Sequence, residues 1–211
     1  MADMRLFGSN DMVKVDSHDC AGCCECCQNM GTSVILDPYD VYRLMRGLGQ
    51  DFNQLMQSSL ELHLEDGLIY PNLKMKTQTN ACSFLNEQGR CMIHAFRPGI
   101  CRLFPLGRNY TGSQLQYFVL ENVCPAANKT KIKVSKWMDM PQMKTYEAYL
   151  VRWHNFTKEL REEIKAELAA EDGEERSRQL SMQFLQYFYA LPYEGEDFFA
   201  QWSKRMDAWS L

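Results

Sequence analysis

From Pro141 onward, apolar residues return every three or four positions. Met143, Tyr146, Tyr149, Trp153, Phe156, Leu160, Ile164 and Leu168 fall on one stripe of a 3.6-residue period, which predicts a long amphipathic helix. Gly173 interrupts the stripe. Leu180, Phe184, Tyr187 and Phe188 predict a second helix, ending near Leu191-Pro192. Phe198, Phe199, Trp202, Met206 and Trp209 predict a third. These aromatics read first as core, and second as the lining of a cavity or partner groove.

The earlier part of the chain changes period often. The β-branched run Thr32–Leu36 predicts a short strand. Asp37-Pro38 reads as an N-cap followed by proline at the first helical position, and Val41, Leu44, Met45 and Leu48 continue a helix that Gly47 and Gly49 end. Asp51 to His63 predicts another helix, closed by Asp66-Gly67. Leu68–Lys76 predicts an edge strand, because Pro71 fits a central strand poorly. Cys82 to Cys91 predicts a hairpin around Asn86–Gly89. Gln114–Cys124 predicts a strand, and Lys129–Lys136 a lysine-rich, solvated edge. The expected class is α+β: a small cysteine-rich region of short strands and helices, then an α-helical C-terminal part. The expected division is 1–136 for the first and 137–211 for helices packed on it, within one domain or two.

Composition narrows the function classes. With 211 residues, 45% of them hydrophobic, the chain can bury a core and is not a disordered segment. A net charge of -4 argues against general nucleic-acid binding. No apolar run reaches the ~20 residues that span a bilayer, and the first residues lack a signal-peptide core. The expected compartment is therefore the cytoplasm, with no membrane association. The aromatic C-terminus is compatible with a dimer, and any protein partner or substrate is unspecified.

Cysteine changes the picture most. There are nine, at 20, 23, 24, 26, 27, 82, 91, 101 and 124, five of them in the octet CAGCCECC. In a reducing compartment such density points to metal or catalysis rather than disulfides, and an odd count suits a closed disulfide framework poorly. Cys20, Cys23 and Cys26 form Cys-x2-Cys-x2-Cys with Cys27 directly after, a spacing that aims thiolates at one metal centre. Neighbours such as Cys26 and Cys27 diverge in extended chain, so they serve different metals or one is a buried hydrophobe. Cys24 breaks the register and is the spare. The other eight suit either two four-thiolate sites or one cluster with the rest packing. Arg97 and Arg102 are placed in sequence to offset thiolate charge, or else to make ordinary surface pairs. His94 is a weaker ligand candidate.

The elements CAGC–ECC, CSFL–GRC and Cys91-x2-His94-x2-RPGICRLFP, then Cys124-Pro125, resemble the CxxCxxCC cysteine-cluster family of zinc- or iron-chelating domains. The resemblance covers roughly Asp16 to Pro125. It implies metal ligation by Cys20, Cys23, Cys26, Cys27, Cys82, Cys91, Cys101 and Cys124, with Cys24 outside the pattern. The family includes flagellin lysine N-methylase, which implies a protein methyltransferase as one outcome. No glycine-rich nucleotide loop follows a strand here. The leading expectation is a metal-binding protein whose cysteine cluster holds zinc or iron, with iron–sulfur slightly preferred, in a structural or electron-transfer role. The alternative is a metal-dependent modifying enzyme such as a protein lysine N-methylase.

Overall fold

The computed structural model describes residues 5–16, 23–168 and 173–209. Strand β1 (Met12–Asp16) precedes the cysteine octet, and helices α1 (Pro38–Leu48) and α2 (Phe52–Ser58) follow it. A hairpin of β2 (Leu60–Glu65) and β3 (Leu68–Leu73) comes next, then α3 (Gly99–Leu103) and a second hairpin of β4 (Leu106–Thr111) and β5 (Gln114–Val119). Strand β6 (Thr130–Lys133) runs into α4 (Val134–Met138), and α5 (Met143–Glu167), α6 (Gly173–Leu185) and α7 (Phe198–Ala208) complete the chain. Among the described residues the strands form three separate two-stranded antiparallel ribbons: β1 with β6, β2 with β3, β4 with β5. The class is α+β with a helical C-terminal part, as the patterning predicts.

Local chemistry accounts for most of these elements. Asp37 caps α1 by accepting the Asp40 N–H at 2.8 Å, and Asp40 returns the favour to the Asp37 N–H at 3.3 Å. Pro38 opens the helix and Gly49, at φ 65°, ends it in the left-handed conformation. The predicted helix over Asp51–His63 stops at Ser58. Leu60, Leu62 and Leu64 alternate with Glu61, His63 and Glu65, a period of two, and Asp66-Gly67 is a two-residue turn with positive φ at both positions. That is a hairpin signal rather than a helix stop. The predicted strand Thr32–Leu36 begins in a turn at Thr32 and makes only an isolated bridge, from Ile35 to Asn72 of β3. Leu36 N donates to the Pro71 carbonyl and Leu73 N to that of Val34, yet Pro71 has no N–H to continue a ladder. Gly173 starts α6 rather than merely ending α5, and the lysine-rich edge turns helical after Lys133.

The C-terminal helices share one core with the first half of the chain. On α5, Tyr146, Tyr149, Leu150, Trp153, Leu160 and Ile164 are buried, close to the predicted stripe. The Tyr149 ring lies 4.6 Å from Trp202 on α7 and 6.2 Å from Tyr39 on α1. Trp153 stacks on Phe184 of α6 at 5.5 Å. Backbone links tie the same regions: the Tyr189 hydroxyl donates to the Leu36 carbonyl, and the Ser181 hydroxyl accepts the Ile69 N–H at 2.8 Å. Each such aromatic is worth about 3–5 kcal/mol on truncation to alanine, against a typical domain stability of about 5–15 kcal/mol. A chain ending at residue 140 is therefore expected to lose cooperative thermal unfolding. Calorimetry of the truncated protein checks this.

Candidate metal centre

Three stretches of chain meet near the cysteine octet. The first is a 3₁₀ turn over Glu25–Cys27, closed by Cys27 N donating to the Cys24 carbonyl at 2.9 Å. The second is the Cys82–Cys91 loop. The predicted hairpin exists there in reduced form: Leu85 bridges Cys91, and Asn86 N donates to the Arg90 carbonyl. The turn is laid on this loop by main-chain bonds. Cys82 N donates to the Cys27 carbonyl at 2.7 Å, and Asn29 N to the Asn80 carbonyl at 2.8 Å. The third is α3, which carries Cys101. Its first N–H, from Gly99, donates at 2.7 Å to the carboxylate of Asp40, so the α1 cap also sets the position of α3.

Glycine is required at position 99. A Cβ there would sit 1.9 Å from the Tyr146 hydroxyl oxygen. The close approach seats α3 against α5, and so seats Cys101.

The thiols of Cys26, Cys27, Cys82, Cys91 and Cys101 act on one another electrostatically. Cys26 is lowered to about 7, chiefly because Cys27 hydrogen-bonds to it; burial opposes this, and the Arg97 charge adds to it. Cys27 is pushed up by the same hydrogen bond, by burial, and by the charges of Cys26, Cys91 and Cys82. Burial raises Cys82, with Cys91 adding to it. Burial likewise raises Cys91, and Cys26 adds to that. Cys101 rises through burial, then Asp40, then Cys82, Cys26 and Cys91. The 3₁₀ turn also changes the expectation for Cys26 and Cys27. Neighbouring side chains diverge in extended chain, but here the backbone bends and the two sulfurs hydrogen-bond.

Such a group suits a thiophilic cation. Thiolates crowded together in a partly buried site repel, and a metal ion reverses the sign of that interaction. Zinc and iron–sulfur centres both take thiolate donors. Among the described residues, no three His, Cys, Asp or Glu side chains form a ready-made metal-holding group, so the five thiols are neighbours rather than a coordination shell.

The other predicted ligands lie differently. Cys20 is outside the described residues. Cys23 is exposed, and Cys124 is half-buried after β5, with its carbonyl accepting from Lys129 at 3.1 Å. Cys24, the predicted spare, accepts a 3.1 Å hydrogen bond from Gln28 and faces Gly89. His94 is exposed and contacts the Arg97 guanidinium. Of the two arginines, Arg97 lends its charge to Cys26 and Cys91. Arg102 does not serve as a counter-charge in this way. It is 5% exposed and spends its donors on the backbone carbonyls of Ala95, Met138 and Asp139, pinning α3 to α4. Asp40 is a site residue that local sequence does not mark. Its signal was the capping position, which does not announce a second bond to Gly99.

A family model named CxxCxxCC, described as "Putative zinc- or iron-chelating domain", matches residues 19–136, more than half the chain. No curated protein and no solved structure matches.

Cys26→Ser and Cys82→Ser are expected to weaken metal binding by more than the roughly 10–100-fold that loss of an outer-shell partner causes. Cys24→Ser is expected to leave it unchanged. Competition with a coloured chelator measures all three.

Proposed function

The chain belongs to the CxxCxxCC family of zinc- or iron-chelating domains, and from that premise we propose that Cys26, Cys27, Cys82, Cys91 and Cys101 supply the thiolates of its metal centre. Cys20, Cys23 and Cys124 complete the ligand set that the family pattern implies. The observation that carries this reading is the mutual electrostatic action of thiols from three separate stretches of chain. Iron–sulfur is the preferred form, on the Cys-x2-Cys-x2-Cys run and the Cys124-Pro125 pair. The centre acts structurally or as an electron carrier, in a reducing compartment such as the cytoplasm. The eight described cysteines are free thiols, in keeping with that setting.

The metal supplies cross-links that secondary structure lacks here. The segment from Cys23 to Val34 has one short 3₁₀ turn and isolated bridges. In zinc-finger peptides a structural zinc contributes about 10–16 kcal/mol of apparent folding free energy. The aromatic core of α5, α6 and α7 is built without thiolates, so loss of metal releases the cysteine region alone.

A second reading, a metal-dependent modifying enzyme such as a protein lysine N-methylase, follows from the family resemblance. It requires an open coordination position. What favours it is a cleft beside α3, described below.

Protein purified without oxygen is expected to carry at least one equivalent of iron or zinc per chain by elemental analysis; neither metal being present would overturn the reading. Visible absorption selects iron–sulfur, because zinc is d¹⁰ and colourless. Chelation is expected to speed amide exchange across residues 23–34 and 80–101 while 143–167 stays protected, as followed by mass spectrometry.

A further inference from the structure

Behind α3, on the side of Asp40, a cavity of about 180 Å³ opens between α1, β4 and α5. An engineered cavity of about 150 Å³ takes up benzene, so this one has room for about seven non-hydrogen atoms. Its charges are arranged without contact. Asp37 and Asp40 are 9% and 2% exposed. Burial pushes both carboxyls up, Asp40 to about 7, and Arg108 opposes this without making an ion pair with either, so a ligand ammonium would favour their ionised form. The Arg108 Nη2 donates to the Tyr146 hydroxyl at 2.9 Å, while its Nε is sealed from solvent and has no hydrogen-bond partner. The cavity's other ionic pair, Glu65 with Arg161 at 3.9 Å, is self-compensated. Tyr110 and His154, stacked 3.9 Å apart with planes 4° from parallel, make an aromatic wall.

We infer that this cleft binds a small zwitterion of the α-amino-acid class, its carboxylate on Arg108 and its ammonium facing Asp37 and Asp40. A plain anion meets the two aspartates, and a plain cation meets the arginine. Only a ligand with both charges satisfies both walls, and guanidinium–carboxylate pairing is among the strong charge-assisted hydrogen bonds. The inference rests on the cleft, not on the metal, and the two fail separately.

The test titrates the full-length protein, as purified with its metal, with three probes that share one four-carbon chain. Norvaline carries both charges, butylamine lacks the carboxylate, and pentanoate lacks the ammonium. Calorimetry is expected to give norvaline at least about tenfold tighter binding than either analogue. In Arg108→Gln, norvaline falls to the level of butylamine, while metal content and circular dichroism stay as in the parent. Norvaline that binds no better than the analogues, or no binding by any probe, overturns the inference. So does an unchanged norvaline affinity in the variant. If Arg108→Gln does not fold, the comparison of the three probes on the parent protein decides alone.

Discussion

Like charges brought together need something of the opposite sign, and sulfur crowding is that constraint here. Cys27, Cys82, Cys91 and Cys101 are each pushed towards the neutral thiol, by burial and by one or more neighbouring thiols of this group. Cys26 is the exception, held near 7 by the thiol beside it. An arrangement that makes thiolates costly in the bare protein makes them good ligands once a cation is present. The family membership and the electrostatics thus point to the same chemistry from independent directions.

The rest of the fold serves to hold that crowding in place. The Cys27 carbonyl takes the Cys82 N–H, so the Glu25–Cys27 turn rests on the Cys82–Cys91 loop. Asp40 joins the α1 cap to the start of α3, and Arg102 fastens α3 to the end of α4 through backbone carbonyls. Gly99 lets α3 approach Tyr146 of α5. Through these contacts the aromatic helices reach the segments that carry the thiols. Rigid support of this kind is what fixes first ligands in metal sites generally.

Asp40 stands at the junction of two chemistries. One carboxylate oxygen positions the helix that carries Cys101; the side chain also lines the cavity that Arg108 faces. Burial, then the Asp37 charge, pushes the Asp40 carboxyl up to about 7.

The cysteine spacing, the helical stripe from Met143 to Leu168 and the Asp37-Pro38 cap were legible in the residues alone, because each depends on neighbours within a few positions. Short-range patterns also held the β2–β3 hairpin, in Asp66-Gly67 and the alternating leucines, although a helical reading of Asp51–His63 competes with them. Tertiary structure alone decided that the stretches carrying Cys27, Cys82 and Cys101 lie near one another, through backbone hydrogen bonds and helix packing across more than 70 residues. It likewise decided that Arg102 is a backbone clamp while Arg97 faces sulfur, because nothing local tells two nearby guanidinium groups which partners the fold will offer. The lining of the cleft is of the same kind: Asp37, Arg108 and His154 come from separate parts of the chain, and only packing puts them around one cavity.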